Sequence, residues 1–332
     1  MYLDNPANSS TTASISIPNE SMPRSARLKS KSLSHGRPPL TSKSQPSLSS
    51  KKTRTLIRSH HRLSKLHAQA LRNGDTEAAS QAASQITQNG GLNIYQQASI
   101  AGQSNHRGGD SSKVLIEWLH ELLPSPSSST PASSSRNKDS EPTLNMLEVG
   151  CLSPRNACSQ TSIFGYGDGI TKIDLHSQHP SILEQDFMQR PLPQNEEERF
   201  DVLSLSLVLN YVGSPEERGE MLRRCGEFLR RGAVRGIRQS GEVEKVLPYL
   251  FLVLPAPCVA NSRYLTEERL EGIMEALGYV KVRRKMSAKL VYYLWRFDGG
   301  REAGGERGIG KMEVNPGKNR NNFCVVLKSR GK

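Results

Sequence analysis

The chain has 332 residues, a formal net charge of +13 and only 5% aromatic residues, so much of its Ser-, Pro- and Gly-rich length is expected to lie outside a folded core. The polar N-terminus has no apolar signal core, and the longest apolar run, residues 246–260, contains three prolines and is too short to cross a bilayer. Five scattered cysteines form no C-x-x-C pair, which argues against a metal site or a disulfide framework and favours a reducing, intracellular compartment.

The positive charge is concentrated at the N-terminus. Residues 1–72 carry thirteen Lys or Arg and two acids, a net charge of +11. Lysine and arginine release counterions from phosphates, so a basic arm on a nearly neutral body is typical of nucleic-acid binding. Arg58, Arg62 and Lys65 are expected on the polar faces of a helix, where they would contact RNA. The alternative is a solvated targeting tail that contacts no nucleic acid.

The part of the chain before residue 142 divides into a tail, a helical region and a linker. Residues 1–50 are rich in Ser, Pro and Lys and are predicted to be disordered. Residues 51–123 are predicted to be helical, with one helix over 52–73 and another over 113–123. Residues 124–141 are predicted to be a flexible linker. The first helix is expected to pack an apolar stripe against the body, formed by Leu56, Ile57, Leu63, Leu66, Ala70 and Leu71.

Residues 142–332 alternate strands with helices. Ser214 and Pro215, followed by two glutamates, predict the start of one helix, and Thr266 predicts the start of another that ends at Gly278. Apolar runs predict four strands in chain order, over residues 144–149, 170–174, 200–209 and 249–254.

Three further segments complete this predicted domain. A third strand is expected within the connection that ends at residues 185–187, and residues 232–247 are expected to form an irregular insertion. Residues 290–297 and 322–327 are expected to pair as a long-looped antiparallel hairpin. Strand–helix alternation that closes in an antiparallel pair is typical of an α/β, Rossmann-like, seven-stranded class I methyltransferase fold, here with a basic helical N-terminal extension.

Two polar strand ends predict a nucleoside site. Gly150 ends the first strand, where a glycine lets a ligand approach the backbone closely. Asp174 ends the second strand, where a carboxylate can hydrogen-bond both hydroxyls of a ribose. The alternative is a glycine turn and a solvated aspartate in a domain that binds no ligand.

The residues after Gly150 narrow the choice of cofactor. They read Cys151-Leu152-Ser153, so the Gly-x-Gly-x-x-Gly fingerprint that serves a pyrophosphate is missing, which argues against NAD or FAD. No Gly-x-x-x-x-Gly-Lys-Ser/Thr phosphate loop is present either. A cofactor with adenine and ribose but no phosphate fits best, and S-adenosyl-L-methionine is the obvious candidate.

The chain resembles the fungal 25S ribosomal RNA adenine-N1 methyltransferases over residues 52–120 and 144–330. Animal relatives of this family are S-adenosylmethionine sensors. The resemblance is carried by eight segments: RGGDSSKVLIEWL from Arg107, LEVGCLSPRNAC from Leu147, IDLHS from Ile173, QDF from Gln185, LSLVLNYV from Leu205, PEERGEML from Pro215, LVLPAPCVANSRY from Leu252 and RNNFC from Arg320.

This resemblance implies a large-subunit rRNA or pre-ribosome substrate, and a location in the nucleus and nucleolus. It implies S-adenosyl-L-methionine as the cofactor, with Gly150 and Asp174 as contacts. Asp186, Phe187 and the strand end at Ser206 correspond to further positions of the cofactor pocket.

The residues after the fourth strand leave the target-base site open. Asn210 and Tyr211 would hydrogen-bond and stack on a target adenine, or they would be a capping Asn and a core Tyr. Adenine N1 carries a free lone pair, so no general base is needed and no catalytic residue is predicted. The competing function is a non-catalytic S-adenosylmethionine sensor that binds protein partners. The basic arm favours RNA, because a sensor needs no such charge.

Overall fold

The computed structural model describes residues 49–102, 109–123, 144–177, 179–231, 235–237, 243–245, 247–299 and 308–329. The predicted linker 124–141 and nearly all of the predicted tail lie outside the described residues, as does part of the 232–247 insertion. Four helices precede the sheet: α1 (Ser50–Arg72), α2 (Thr76–Gln88), α3 (Gly91–Gly102) and α4 (Ser112–Leu122).

The first helix lies where the sequence predicts it. The Ser49 side chain accepts a backbone N–H of the first turn at 3.2 Å, which satisfies one of the free donors of a helix start. Leu63 and Ala70 are buried where α2 packs along α1. The predicted apolar stripe is wrong at two positions, because Leu66 and Leu71 are 49% and 57% exposed.

Seven strands form one mixed sheet, as predicted. The order is β3-β2-β1-β4-β7-β9-β8; the first five strands run parallel, and β9 runs antiparallel to both of its neighbours. The strands are β1 (Met146–Val149), β2 (Ile170–Asp174), β3 (Leu183–Glu184), β4 (Val202–Ser206), β7 (Tyr249–Pro255), β8 (Tyr279–Met286) and β9 (Leu290–Phe297).

The predicted closing hairpin pairs the wrong segments. The partner of β9 is β8, which directly precedes it, whereas residues 322–327 form no strand. β8 carries four cations within eight residues, so it shows no apolar run in the sequence. Acidic groups from neighbouring helices pair with these cations, as in the Arg284–Glu267 ion pair, and so the charged strand is accepted at the sheet edge. The 232–247 segment is not wholly irregular, because β5 (Arg235–Ile237) pairs with β6 (Val243–Lys245).

Helices cover both faces of the sheet. Along the central strands, alternate side chains enter two separate cores, as the two-residue period of a strand requires. On one face Leu147 and Leu205 pack with α5 (Pro215–Phe228) and α7 (Glu267–Ala276); on the other face Met146 and Val202 pack with α4. A short helix, α6 (Pro257–Ala260), follows β7. Among the described residues, no helix combines the length and the apolar character that a bilayer crossing requires.

The C-terminal segment packs on α5. Val326 donates its N–H to the carbonyl of Pro215 at 3.0 Å, and Arg218 donates to the carbonyl of Cys324 at 2.6 Å. These contacts need a helix without a side chain at Gly219, because a Cβ there would lie 1.9 Å from the carbonyl oxygen of Val326. Residues 323–327 are therefore part of the hydrophobic core although they form no strand.

We expect Gly219→Ala to destabilise the fold by about 1–3 kcal/mol, because the added methyl group collides with backbone and forces α5 and the C-terminal segment apart. Gly272→Ala on α7 is the matched control, since nothing lies within 4 Å of its Cβ position. Alanine is the better helix former, so the control should gain up to about 1 kcal/mol. Urea unfolding measures both; equal stabilities would contradict this packing.

Candidate cofactor-binding site

The ends of β1, β2 and β4 lie side by side at the carboxyl edge of the parallel sheet. Val149 is in register with Ile173 of β2 and with Leu205 of β4. One residue further along each strand, Gly150 therefore lies between Asp174 and Ser206. After β1 the chain continues to β2, towards one edge strand, and after β4 it continues to β7, towards the other edge strand. Open α/β sheets bind ligands at the point where the strand order reverses direction in this way.

Gly150 turns the chain away from the end of β1. Its φ of +75° is in the region that favours glycine, and its N–H bonds to the carbonyl of Ile173 at 2.9 Å. A Cβ at this position would lie 2.5 Å from Cγ2 of Val208. Any side chain at Gly150 would therefore displace the loop after β4 and fill the space beside the strand ends.

One of the two oxygens of the Asp174 carboxylate is hydrogen-bonded within the described chain. The Oδ1 atom accepts the N–H of His176 at 2.9 Å, and among the described residues no hydrogen bond reaches Oδ2. Burial raises the pKa of this carboxyl, and the N–H of His176 opposes the shift. A ribose hydroxyl offers a donor to Oδ2 without burying a second charge, which fits the role predicted for Asp174.

Asp186 and Phe187 follow β3 on the same edge of the sheet. Gln185 donates its N–H to the carbonyl of Asp174 at 2.8 Å, which brings this segment beside the end of β2. Asp186 accepts the N–H of Met188 at 2.8 Å. The Phe187 side chain is buried against Phe228, and this packing holds the segment beside Asp186 in place. The cofactor contact of Phe187 stays a prediction.

Ser206 belongs to a group of polar residues whose contacts the sequence did not predict. We call this group the clamp; it consists of Asp110, Ser111, Ser112 and Ser206. The Ser206 hydroxyl lies 2.6 Å from the hydroxyl of Ser111, at the start of α4. The Asp110 carboxylate accepts the N–H of Ala157, and the Ser112 hydroxyl accepts the N–H of Cys158 at 3.1 Å. These hydrogen bonds from the start of α4 fix the loop that follows Gly150.

Glu148 holds the same loop from below. This side chain is 7% exposed, and burial raises the pKa of its carboxyl. Asn156 donates to its Oε1 at 2.6 Å, and the Cys158 thiol lies 3.7 Å from its Oε2. A buried carboxyl is costly unless it is hydrogen-bonded, so these partners tie residues 151–158 to β1.

The N-terminal helices reach over this edge. Gln96 of α3 donates to the carbonyl of His176, after β2, at 2.5 Å. His61 of α1 stacks on Tyr211, after β4, with 3.8 Å between ring centroids and planes 15° apart. Tyr95 makes an edge contact with His61 at 5.0 Å. The sequence predicted that α1 packs on the body but not that it meets the site.

The structure narrows the two interpretations of Asn210 and Tyr211. Ser214, not Asn210, caps α5, through a capping box with Glu217. Tyr211 is 38% exposed, so it is not a core residue. The capping and core alternatives are therefore wrong, and both residues lie in the loop beside the strand ends.

A cleft of about 570 Å³ opens at the opposite edge of the sheet. Its lining includes Asn145, Gly169 and Phe200, which precede β1, β2 and β4. Gly150, Asp174, Asp186 and Ser206 are absent from this lining, so the cleft is separate from the predicted cofactor site.

The residues at the carboxyl edge fit S-adenosyl-L-methionine. Gly150 leaves room that a Cβ would fill, Asp174 has a carboxylate oxygen for the ribose, and the clamp fixes the loop between them. Within the described parts of the chain, His, Cys, Asp and Glu form no cluster of three suited to a metal ion.

Sequence comparison agrees with the predicted family. Residues 80–325 match the family described as 25S rRNA (adenine(2142)-N(1))-methyltransferase, Bmt2. The 25S rRNA adenine-N(1) methyltransferase of Schizosaccharomyces pombe is 36% identical over 272 residues, which cover 81% of this chain and 89% of that protein. The 25S rRNA (adenine(2142)-N(1))-methyltransferase of Saccharomyces cerevisiae is 35% identical over 243 residues; these cover 73% of this chain but only 62% of that longer protein.

Solved structures resemble the chain more distantly. A 1,6-didemethyltoxoflavin-N1-methyltransferase of Burkholderia thailandensis with bound S-adenosylhomocysteine is 13% identical, with a TM-score of 0.33 over 47% of this chain and 71% of that one. An O-methyltransferase family protein of the same organism is 9% identical, with a TM-score of 0.37 over 63% of this chain and 61% of that one. Scores this low carry no argument.

We expect Asp174→Ala to weaken S-adenosylmethionine by about 1.5–3 kcal/mol, the usual contribution of hydrogen bonds to a charged group. S-adenosylhomocysteine should lose as much, because both ligands share the ribose. Asp168→Ala, an exposed change before β2, is the control and should leave both affinities unaltered. Calorimetry measures the six dissociation constants of the wild type and the two variants. A loss confined to one ligand would place Asp174 at the sulfur end instead of the ribose.

Proposed function

This chain belongs to the Bmt2 family of 25S rRNA (adenine-N(1))-methyltransferases, and from that premise we propose that it methylates N1 of an adenine in large-subunit (25S) rRNA. The methyl donor is S-adenosyl-L-methionine. The observation that carries the proposal is the alignment of Gly150 between Asp174 and Ser206 at the switch point of the sheet. The family match favours this enzyme over a non-catalytic sensor with the same pocket.

The reaction depends more on how the protein positions the cofactor and the target base than on proton transfer by a side chain. S-adenosyl-L-methionine, when bound, would supply a sulfonium methyl group for transfer to adenine N1; it would leave as neutral S-adenosylhomocysteine, with the positive charge on the base. The neutral base attacks with its own lone pair, so no side chain has to remove a proton first. Asp174 would hold the ribose, and the loop after Gly150, fixed by Asp110 and Glu148, would hold the methionine end.

The substrate has to present an unpaired adenine. N1 is on the Watson–Crick edge, so an enzyme that reacts there acts on a single-stranded or flipped base. The loop after β4 approaches Gly150 through Val208 and carries the aromatic ring of Tyr211, a residue that is 38% exposed.

A basic face of α1 is suited to the RNA backbone. Arg54, Arg58 and Arg62 recur every four residues, so they share one face of the helix, and all three are exposed. Lys65, which the sequence grouped with Arg58 and Arg62, has a different environment. Burial lowers its pKa, as does the nearby charge of Arg218, so its ammonium group lies close to the body although the residue as a whole is exposed.

We further propose that the protein acts in the nucleolus on rRNA within a pre-ribosome. Support comes from the substrate named for the relatives, 25S rRNA, which is a component of the large ribosomal subunit. The basic N-terminal segment, with its net charge of +11, supports attachment to such RNA-rich particles.

The function is tested by mass spectrometry of nucleosides from large-subunit rRNA. Cells that lack the protein should lose one N1-methyladenosine per 25S rRNA, and the wild-type protein should restore it. Asp174→Ala, expressed at the same level, should not. An unchanged content of N1-methyladenosine in the deletion strain would rule the proposed activity out.

We expect Arg58→Glu/Arg62→Glu to weaken binding of a 25S rRNA fragment, because two phosphate-binding cations become anions. The slope of log affinity against log salt should become shallower by about 0.7 for each phosphate that the protein no longer neutralises. The control is Arg231→Glu/Lys328→Glu, which changes the net charge equally at exposed positions away from α1. Affinity for S-adenosylmethionine should be the same in both variants. Equal RNA binding by the two variants would mean that α1 does not grip RNA.

A further inference from the structure

Two aromatic rings from distant parts of the chain form a closed stack above the strand ends. The His61 imidazole of α1 covers one face of Tyr211 at a centroid distance of 3.8 Å, with the planes 15° apart. This is the geometry of a base stacked on an aromatic side chain. Burial lowers the pKa of His61 to about 3, so near neutral pH the ring is uncharged, like an adenine.

The stack is close to the point where the methyl group would be transferred. Tyr211 donates its N–H to the carbonyl of Val208 at 2.9 Å. Val208 in turn approaches the Cβ position of Gly150 to 2.5 Å. One tight turn therefore connects the exposed ring to the glycine beside the predicted methionine end of the cofactor.

Unsatisfied polar atoms accompany the stack. The Oδ1 atom of Asn210 and the Nε2 atom of His61 are both buried, and neither has a hydrogen-bond partner within the described chain. Burying such an atom without a partner costs free energy, and the buried groups of folded proteins are nearly always satisfied. The Asn210 side-chain oxygen can therefore accept a hydrogen bond from a ligand.

We propose that Tyr211 is the stacking platform for the target adenine and that His61 covers this platform until RNA displaces it. Asn210 then accepts a hydrogen bond from the exocyclic N6 amino group of the base. This inference depends on the proposed methylation of adenine N1 and assigns its base site. Guanine presents an oxygen at the same place, which would face the Asn210 oxygen without a proton between them.

The helix that carries His61 also links the platform to the RNA backbone. Arg54 and Arg58 are seven and three residues from His61, so they lie beside it on one face of α1. The Lys65 charge contributes to the low pKa of His61, as expected for two side chains that lie close together. RNA that follows this basic face reaches the His61–Tyr211 stack, and backbone contacts that shift α1 would withdraw the imidazole.

The first test is steady-state methylation of a short, unstructured RNA that contains the target adenine. Tyr211→Ala should raise KM about 5- to 150-fold, the range that follows from base–aromatic stacking, while Tyr211→Phe should stay near wild type. His61→Ala should lower KM, because the imidazole no longer competes with the base. The control is His60→Ala, since His60 stacks on Tyr95 and not on Tyr211.

The second test measures how much the methylation rate depends on the N6 amino group of the target base. Replacing the target adenine by purine removes N6 but keeps N1, and the wild-type enzyme should methylate purine more slowly. Asn210→Ala should reduce this preference, and it should do so without changing the affinity for S-adenosylmethionine. Thermal unfolding of each variant shows whether it is folded.

The outcomes separate this inference from the function itself. A wild-type protein that methylates no adenine of the rRNA refutes the proposed function. A wild-type protein that does methylate, with His61→Ala and His60→Ala raising KM alike, would mean that His61 is only a packing residue. Unchanged kinetics in Tyr211→Ala, or an unchanged adenine preference in folded Asn210→Ala, would likewise overturn the base site.

Discussion

Parallel pairing of β2, β1 and β4 places Gly150, Asp174 and Ser206 in one row at the carboxyl edge of the sheet. Each of the three residues comes from a different stretch of chain, and only the strand register brings them together. A shift of one residue in any pair would turn every side chain of that strand to the opposite face and would move its polar end out of the row. Burial on both faces of the sheet opposes such a shift, because the alternate residues of these strands belong to two different cores.

The loop after Gly150 needs more than the register to keep its shape. It contains no regular strand or α-helix, so its backbone N–H groups need partners from elsewhere. Asp110 and Ser112 supply acceptors from the start of α4, and Glu148 supplies a buried carboxyl from β1. The helix start and the cofactor loop therefore depend on each other. A ligand that contacts this loop meets a backbone that is already in position, so little ordering entropy is lost on binding.

The helix α1 has two distinct surfaces. One surface buries Leu63 and Ala70 against α2. The other carries exposed arginines, whose charges stay in solvent, where they are well hydrated. His61 lies on this second surface, three residues from Arg58, and stacks on Tyr211. Under the proposed function, RNA bound to the arginines would therefore lie next to the loop after β4.

The sequence by itself determined the parts of this protein that depend on local patterns. Apolar runs located β2 to the residue and most other parallel strands within a few residues, and the cap at Ser214 located α5. The sequence also showed that Gly150 and Asp174 lie at consecutive strand ends, because a glycine and an acid after two apolar runs are visible without a fold.

Only the tertiary structure decided where charged or irregular segments belong. The four cations of β8 mask it as a strand in the sequence, yet β8 pairs with β9. Acidic side chains of other elements form ion pairs with these cations and compensate their charge. Ser111 with Ser206 and His61 with Tyr211 are separated by 95 residues or more along the chain, and no local pattern encodes such contacts; they arise because packing of α1 and α4 on the sheet brings those side chains to one edge.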